Sequence, residues 1–173
     1  MSKMPKEILI GKRTILKRLT PDMADEVYKI IDKSRDSMSE FLPMFKTISA
    51  EHEREYLVET QNRWNGSSQF TYAIFINNQF AGTLSLNKVN FEEKTAEIGY
   101  WLGEEFEGKG YMTESVDILI NEAKRLKLNE LVISCDVNNH KSANIAKRLG
   151  FILKEEYYNE KYNRISYRFL KII

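Results

Sequence analysis

AEIGYWLGEEFEGKGYMTE, from Ala96 to Glu114, is the stretch whose reading decides the fold. It begins with Ala96, Ile98, Tyr100 and Leu102 alternating with Glu97, Gly99 and Trp101, which is the period of a strand. It breaks at Gly108, Lys109 and Gly110, then resumes as a helix whose Met112, Val116, Leu119, Ile120, Ala123 and Leu126 share one side. A strand, a glycine turn and a helix in direct succession form a site for an anion. Glycine lets the backbone turn sharply and approach a ligand, and the first amides of the helix have no intrahelical acceptor.

Toward the N-terminus the period of two continues. Phe70, Tyr72, Ile74 and Ile76 mark a strand, Asn77 and Asn78 a hairpin turn, and Leu84 and Leu86 the returning strand, so Ala96 to Leu102 closes an antiparallel meander. Earlier still, Glu7 to Leu19 is strand material interrupted at Gly11. Thr20 and Pro21 are expected to cap and start a helix carrying Ala24, Val27, Tyr28 and Ile31. Ser49 is expected to cap a second helix that runs to about Asn65 and buries Tyr56, Leu57 and Trp64. Between them, Ser34 to Ile48 is irregular and apolar, with Met38, Phe41, Leu42, Met44 and Phe45; it suits either local packing or the wall of a substrate cleft. Toward the C-terminus, Leu131, Ile133, Cys135 and Val137 alternate. A short helix turns Ala143, Ile145, Ala146 and Leu149 inward and ends at Gly150, and two further strands follow. With no linker or repeat in its 173 residues, the chain is expected to be a single α+β domain over 1–173.

Composition excludes several function classes. Lys and Arg number 26 against 25 Asp and Glu, so no bulk positive charge points to nucleic acid or an anionic membrane. No apolar run is long enough to span a bilayer, and MSKMPKEILIG lacks the apolar centre of a signal peptide, so a cytoplasmic location is expected. The lone cysteine, Cys135, reads as a buried strand residue more than a nucleophile. His52 and His140 have no clear partners, and no cluster shows metal-ligand spacing; no metal is expected. GEEFEGKG, Gly103 to Gly110, nearly matches a triphosphate-binding loop. Gly110 stands where Ser or Thr would hold magnesium, Glu104, Glu105 and Glu107 would crowd the phosphates, and the preceding meander is not a parallel nucleotide-binding sheet.

FEGKGYMTE together with NHKSANIAKRLGF, Asn139 to Phe151, resembles the two signature segments of the GNAT superfamily of acyl-CoA-dependent N-acyltransferases. The branch it most resembles includes the ribosomal-protein N-terminal acetyltransferases and the polyamine acetyltransferases. The resemblance implies the GNAT fold, a mixed, mostly antiparallel central sheet flanked by helices. It also implies acetyl-CoA as cosubstrate, with its pyrophosphate on the glycine loop. The family's Q/R-x-x-G-x-G/A falls on Glu107, Gly110 and Met112, so its first and last positions depart from the pattern, while the backbone cradle from Gly108 to Met112 does not depend on side chains. The cofactor-contacting residues so implied are Tyr100, Trp101 and Leu102 on the strand, Glu107, Gly108, Lys109, Gly110, Tyr111, Met112 and Thr113 around the loop, and Asn139 and Ser142.

The same resemblance implies that the strand Ile98 to Leu102 splays from Leu131 to Val137 and that the pantetheine arm binds in the gap like an added strand. For catalysis it points to Glu97 as the base, against the reading of an exposed strand charge. Glu160 comes second, against a solvated hairpin residue, and Ser142 is the group that assists the leaving thiolate. Ser142 and Asn139 would equally serve as helix caps. The expected activity is acetyl transfer from acetyl-CoA to a primary amine, foremost a protein N-terminus of ribosomal-protein type. The alternatives are a polyamine or other small amine, for which Glu40, Glu92 and Glu93 offer unplaced carboxylates, and a non-catalytic acyl-CoA-binding module. The branch and the apolar C-terminal strand also suggest a homodimer.

Overall fold

A computed structural model describes residues 4–173; positions 1–3 of the expected domain, and of the segment expected to lack a signal peptide, lie outside the described residues. Eight strands form one sheet: β1 (Ile8–Ile10), β2 (Thr14–Arg18), β3 (Phe70–Ile76), β4 (Gln79–Asn90), β5 (Thr95–Leu102), β6 (Glu130–Asp136), β7 (Ile152–Asn159) and β8 (Arg164–Ile172). Their order is β1-β2-β3-β4-β5-β6-β8-β7. All neighbours are antiparallel except β5 and β6, which are parallel and are joined through the helix α4 described below. The β3–β4 turn uses Asn77 at φ 49° and Asn78 at φ 63°, the left-handed pair that a two-residue hairpin needs.

Helices α1 (Ala24–Lys33), α2 (Arg35–Met38), α3 (Ala50–Asn65), α4 (Tyr111–Arg125) and α5 (His140–Arg148) flank the sheet. Burial follows the sequence pattern: α4 buries Val116, Leu119, Ile120 and Ala123, and α1 buries Val27, Ile30 and Ile31, against sheet residues such as Leu84, Leu86, Ile98 and Ile133. Ser49 caps α3, its side chain accepting the His52 amide at 3.1 Å. Two local expectations are corrected. Thr20 donates its hydroxyl to Asp22 and makes no cap; a 3-10 turn at Pro21–Met23 precedes α1. Tyr56 lies 42% exposed on α3 while Leu57 and Trp64 are buried, because only one side of this helix meets the core.

The feature that positions the site is a parting of strands. β5 and β6 pair from Thr95 with Glu130 to Ile98 with Ile133, and there the pairing stops. Beyond that point β5 stays paired to β4 as far as Leu102 with Gly82, and β6 stays paired to β8 as far as Asp136 with Ser166. Each strand keeps its outer partner while the two inner edges diverge.

Candidate active site

A cleft of about 780 Å³ fills the divergence, and Gly99 to Leu102 and Ser134 to Asp136 line it from either side. That size is typical of small-molecule sites. At one end lies the glycine loop. Gly108 at φ 77° and Gly110 at φ 81° are both left-handed, and Gly110 is the N-cap of α4. A Cβ at Gly108 would meet nothing within 4 Å, so backbone conformation alone calls for glycine there. The loop is braced from behind by Arg13, which donates to the Lys109 carbonyl at 2.9 Å and stacks its guanidinium 4.7 Å from the Tyr111 ring centroid. Glu114, one turn into α4, accepts from the Thr14 hydroxyl at 2.8 Å and from the amides of Thr14 and Arg13 at 2.9 and 3.0 Å. Burial alone would raise the Glu114 carboxyl, but these hydrogen bonds outweigh it and hold the group below its ordinary range.

α5 forms the facing wall. Asn139 caps it, accepting the Ser142 amide at 3.2 Å, so the capping reading of Asn139 is realised in a residue that also lines the cleft. The Ser142 hydroxyl lies 2.7 Å from the Tyr100 hydroxyl, joining α5 to β5 across the gap. Burial pushes the Tyr100 phenol well above its usual range, more than the Ser142 hydrogen bond lowers it, so the phenol stays protonated. Burial likewise lifts the Cys135 thiol to about 11, and at neutral pH it remains an uncharged thiol. At the mouth, Lys141 of α5 bonds Glu107 of the loop at 2.5 Å. That bond raises the Lys141 pKa and offsets the negative charge that Glu107 would otherwise present to an anion on the loop.

Tyr100, Trp101, Leu102, Glu107, Gly108, Gly110, Tyr111, Met112, Thr113, Asn139 and Ser142 all line this cleft. Lys109 is not among the lining residues; its carbonyl is engaged by Arg13. The two glutamates expected as bases are also absent from the walls. Glu97 sits opposite Val132, where β5 and β6 are still paired, and forms an ion pair with Lys88 at 3.2 Å. Glu160 is exposed in the turn after β7, while Tyr157, Asn159 and Tyr162 take the cleft wall.

Sequence reasoning missed Asp136 and Arg164 at the other end of the cleft. The Asp136 side chain is only 10% exposed; one oxygen accepts the Asn138 amide at 2.8 Å and the other lies 3.7 Å from the Arg164 guanidinium. Arg164 also donates to the Glu40 carbonyl, tying the β8 start to the segment between α1 and α3. Of the two readings of Ser34 to Ile48, the cleft wall is realised, since Met38, Phe41 and Leu42 line it, and packing anchors it, with buried Phe45 edge-on to Trp101 at 5.6 Å. Lys141 and Arg148, both in the wall, stand seven residues apart on α5 and so share a helix face, a signal of anion binding that was readable in the sequence. Among the described residues no group of three or more His, Cys, Asp and Glu is placed to hold a metal ion, and no helix is long and apolar enough to cross a membrane.

Comparison with known proteins places this geometry among relatives. Residues 13–152 match the family model described as an acetyltransferase (GNAT) domain. The ribosomal-protein-serine acetyltransferase of Escherichia coli (strain K12) is 27% identical over 171 residues, covering 94% of this chain and 95% of the relative. A ribosomal L7/L12 alpha-N-protein acetyltransferase, solved with coenzyme A in a disulfide to one of its cysteines, superimposes with a TM-score of 0.91 at 26% identity, over 96% of this chain and 98% of that one. A microcin C7 self-immunity acetyltransferase solved with acetyl-CoA and AMP gives a TM-score of 0.87 at 25% identity, over 94% of each chain.

Proposed function

The chain belongs to the GNAT acetyltransferase family and is an acyl-CoA-dependent N-acetyltransferase; from that premise we propose that, as one domain over 1–173, it acetylates the α-amine of a protein N-terminus of ribosomal-protein type. The observation that carries this reading is the parting of β5 and β6 beyond Ile98 and Ile133, with an anion-binding loop at one end of the resulting cleft. A strand edge without a ladder partner receives a peptide-like arm as an added strand, so Gly99 to Leu102 suit pantetheine. The open left-handed turn at Gly108 and Gly110 and the first amides of α4 suit the pyrophosphate. Support for a protein acceptor comes from the Escherichia coli relative, which matches over nearly the whole of both chains. The microcin-immunity likeness favours a small-molecule amine as the second reading. Neither a polyamine acceptor nor a non-catalytic coenzyme A module has comparable support.

Acetyl-CoA supplies an acetyl group activated by a thiol leaving group. The chain's own residues hold the carbonyl, exclude water and manage protons. A backbone amide on the open edge of β5 is the group proposed to polarise the carbonyl. The acceptor amine sheds one proton to solvent before attack. As its C–N bond forms and the C–S bond breaks, the nitrogen gives its second proton to water, and the departing sulfur takes one from a donor that solvent then reprotonates. Ser142, hydrogen-bonded to a Tyr100 phenol that stays protonated, is the proposed donor to that sulfur. With Cys135 held as a neutral thiol, direct transfer is favoured over an acyl-cysteine intermediate. Glu97 and Glu160, set outside the walls, are poorly placed to take a proton directly. The reading extends to a cytoplasmic enzyme without a nucleic-acid or membrane partner, working as a homodimer. Incubation with acetyl-CoA and peptides bearing free or blocked N-termini tests it: thiol release is expected only with the free peptides and above the rate with spermidine. A preference for spermidine would overturn the protein acceptor.

A further inference from the structure

We propose that Asp136 and Arg164 together read the free amino terminus of the acceptor, the Asp136 carboxylate holding the α-ammonium and the Arg164 guanidinium taking the carbonyl of the first residue. The proposal rests on the protein-acceptor reading above and adds to it the groups that select the acceptor. Asp136 is the last residue of β6, three positions past the final β5–β6 pair. It is registered with Ser166 of β8, which is registered with Tyr157 of β7, so the three side chains stand on one face of the sheet, and all three line the cleft.

The hydrogen-bonding capacity of this carboxylate is only partly used. The Asn138 amide occupies one oxygen, and the other lies 3.7 Å from Arg164, beyond hydrogen-bond reach. A peptide N-terminus presents an ammonium and a carbonyl oxygen side by side, and here an anion and a donor cation stand side by side to meet them. A polyamine has no carbonyl to offer Arg164, and a second ammonium set in that position meets the like charge of the guanidinium. Because Arg164 also holds the Glu40 carbonyl, the body of the acceptor would leave between the Ser34–Ile48 segment and the β7–β8 hairpin, past Tyr157, Asn159 and Tyr162.

The alternative is that the pair merely steadies the start of β8. Two variants and two readouts separate these. Asp136→Asn keeps an acceptor for the Asn138 amide and removes the charge. Equilibrium binding to the protein–coenzyme A complex is measured for a serine-initiated hexapeptide and for its analogue with hydrogen in place of the α-amino group. The wild-type protein should favour the amino peptide by roughly 10- to 100-fold, and Asp136→Asn should abolish that preference. Arg164→Met should lose about tenfold more kcat/KM on the hexapeptide than on phenylethylamine, which lacks the carbonyl. A wild-type protein indifferent to the amino group, or variants that keep both preferences, would overturn the proposal. Binding preference without any acetylation of peptides would instead count against the functional reading alone.

Discussion

Glu114 couples two parts of the chain that the sequence separates by 100 residues. Its carboxylate collects the amides of Arg13 and Thr14 and the Thr14 hydroxyl, and so fixes the start of β2 against the first turn of α4, beside the glycine loop. Since its folded pKa is depressed from 4.5, its contribution is fully present above 4.5 and is lost as pH falls through the lower folded value. Glu114→Gln should therefore cost about 1–3 kcal/mol at pH 7, a typical worth for hydrogen bonds to a charged group, and much less at pH 3. Urea unfolding at the two pH values measures the difference. Nothing in the sequence announced this contact, because an exposed helix glutamate and a buttress carry the same letter. For the same reason the family-implied roles of Glu97 and Glu160 were readable as residue types and not as positions. Glu97 lies one residue before the strands part, and only the register shows that. Gly108 and Gly110, whose φ values leave few other choices, were legible from the start.

The segment between α1 and α3 has no periodicity, and besides the packing of Phe45 and the Arg164 contact to Glu40, one side chain within it gathers its backbone. Arg35 donates to the carbonyls of Phe45 at 2.7 Å and Ile48 at 3.0 Å and pairs with Asp32 at 3.0 Å, holding Met38, Phe41 and Leu42 in the cleft wall. We expect Arg35→Ala to raise the KM for a peptide acceptor several-fold while the affinity for coenzyme A, whose loop and α5 lie elsewhere, changes little. Steady-state kinetics alongside calorimetry with coenzyme A checks both halves. Elements with strong local signals were legible: the Asn77–Asn78 hairpin, the Ser49 cap and the apolar stripe of α4 all form as read. Thr20 failed as a cap because its hydroxyl found Asp22 two residues on, and Pro21 began a 3-10 turn before the α-helix. Tyr56 fell on the outer side of α3, a helix whose charges surround most of its circumference.

Across the molecule, the antiparallel meander and the order of strands and helices followed from periodicity. The parting of β5 and β6 did not: both strands read as ordinary alternating runs, and the gap was expected only because two signature segments resembled those of a family in which it occurs. The gap opens because each strand is held by its outer neighbour, β4 or β8, with a register that lets the inner edges diverge. Long-range pairing of that kind leaves no local mark in composition. Nor did the sequence bring Asp136, Arg164 and Glu40 together, since they come from three separate elements. The claim on which the rest depends is that this cleft passes acetyl groups to protein amino termini. Treating a cell extract with the enzyme and acetyl-CoA carrying a heavy acetyl group, then locating the label by mass spectrometry, tests it most directly. The predicted result is heavy acetyl on the N-terminal α-amine of a small set of proteins, with ribosomal proteins among them. Label found on polyamines or other small amines, with protein N-termini unlabelled, would contradict it.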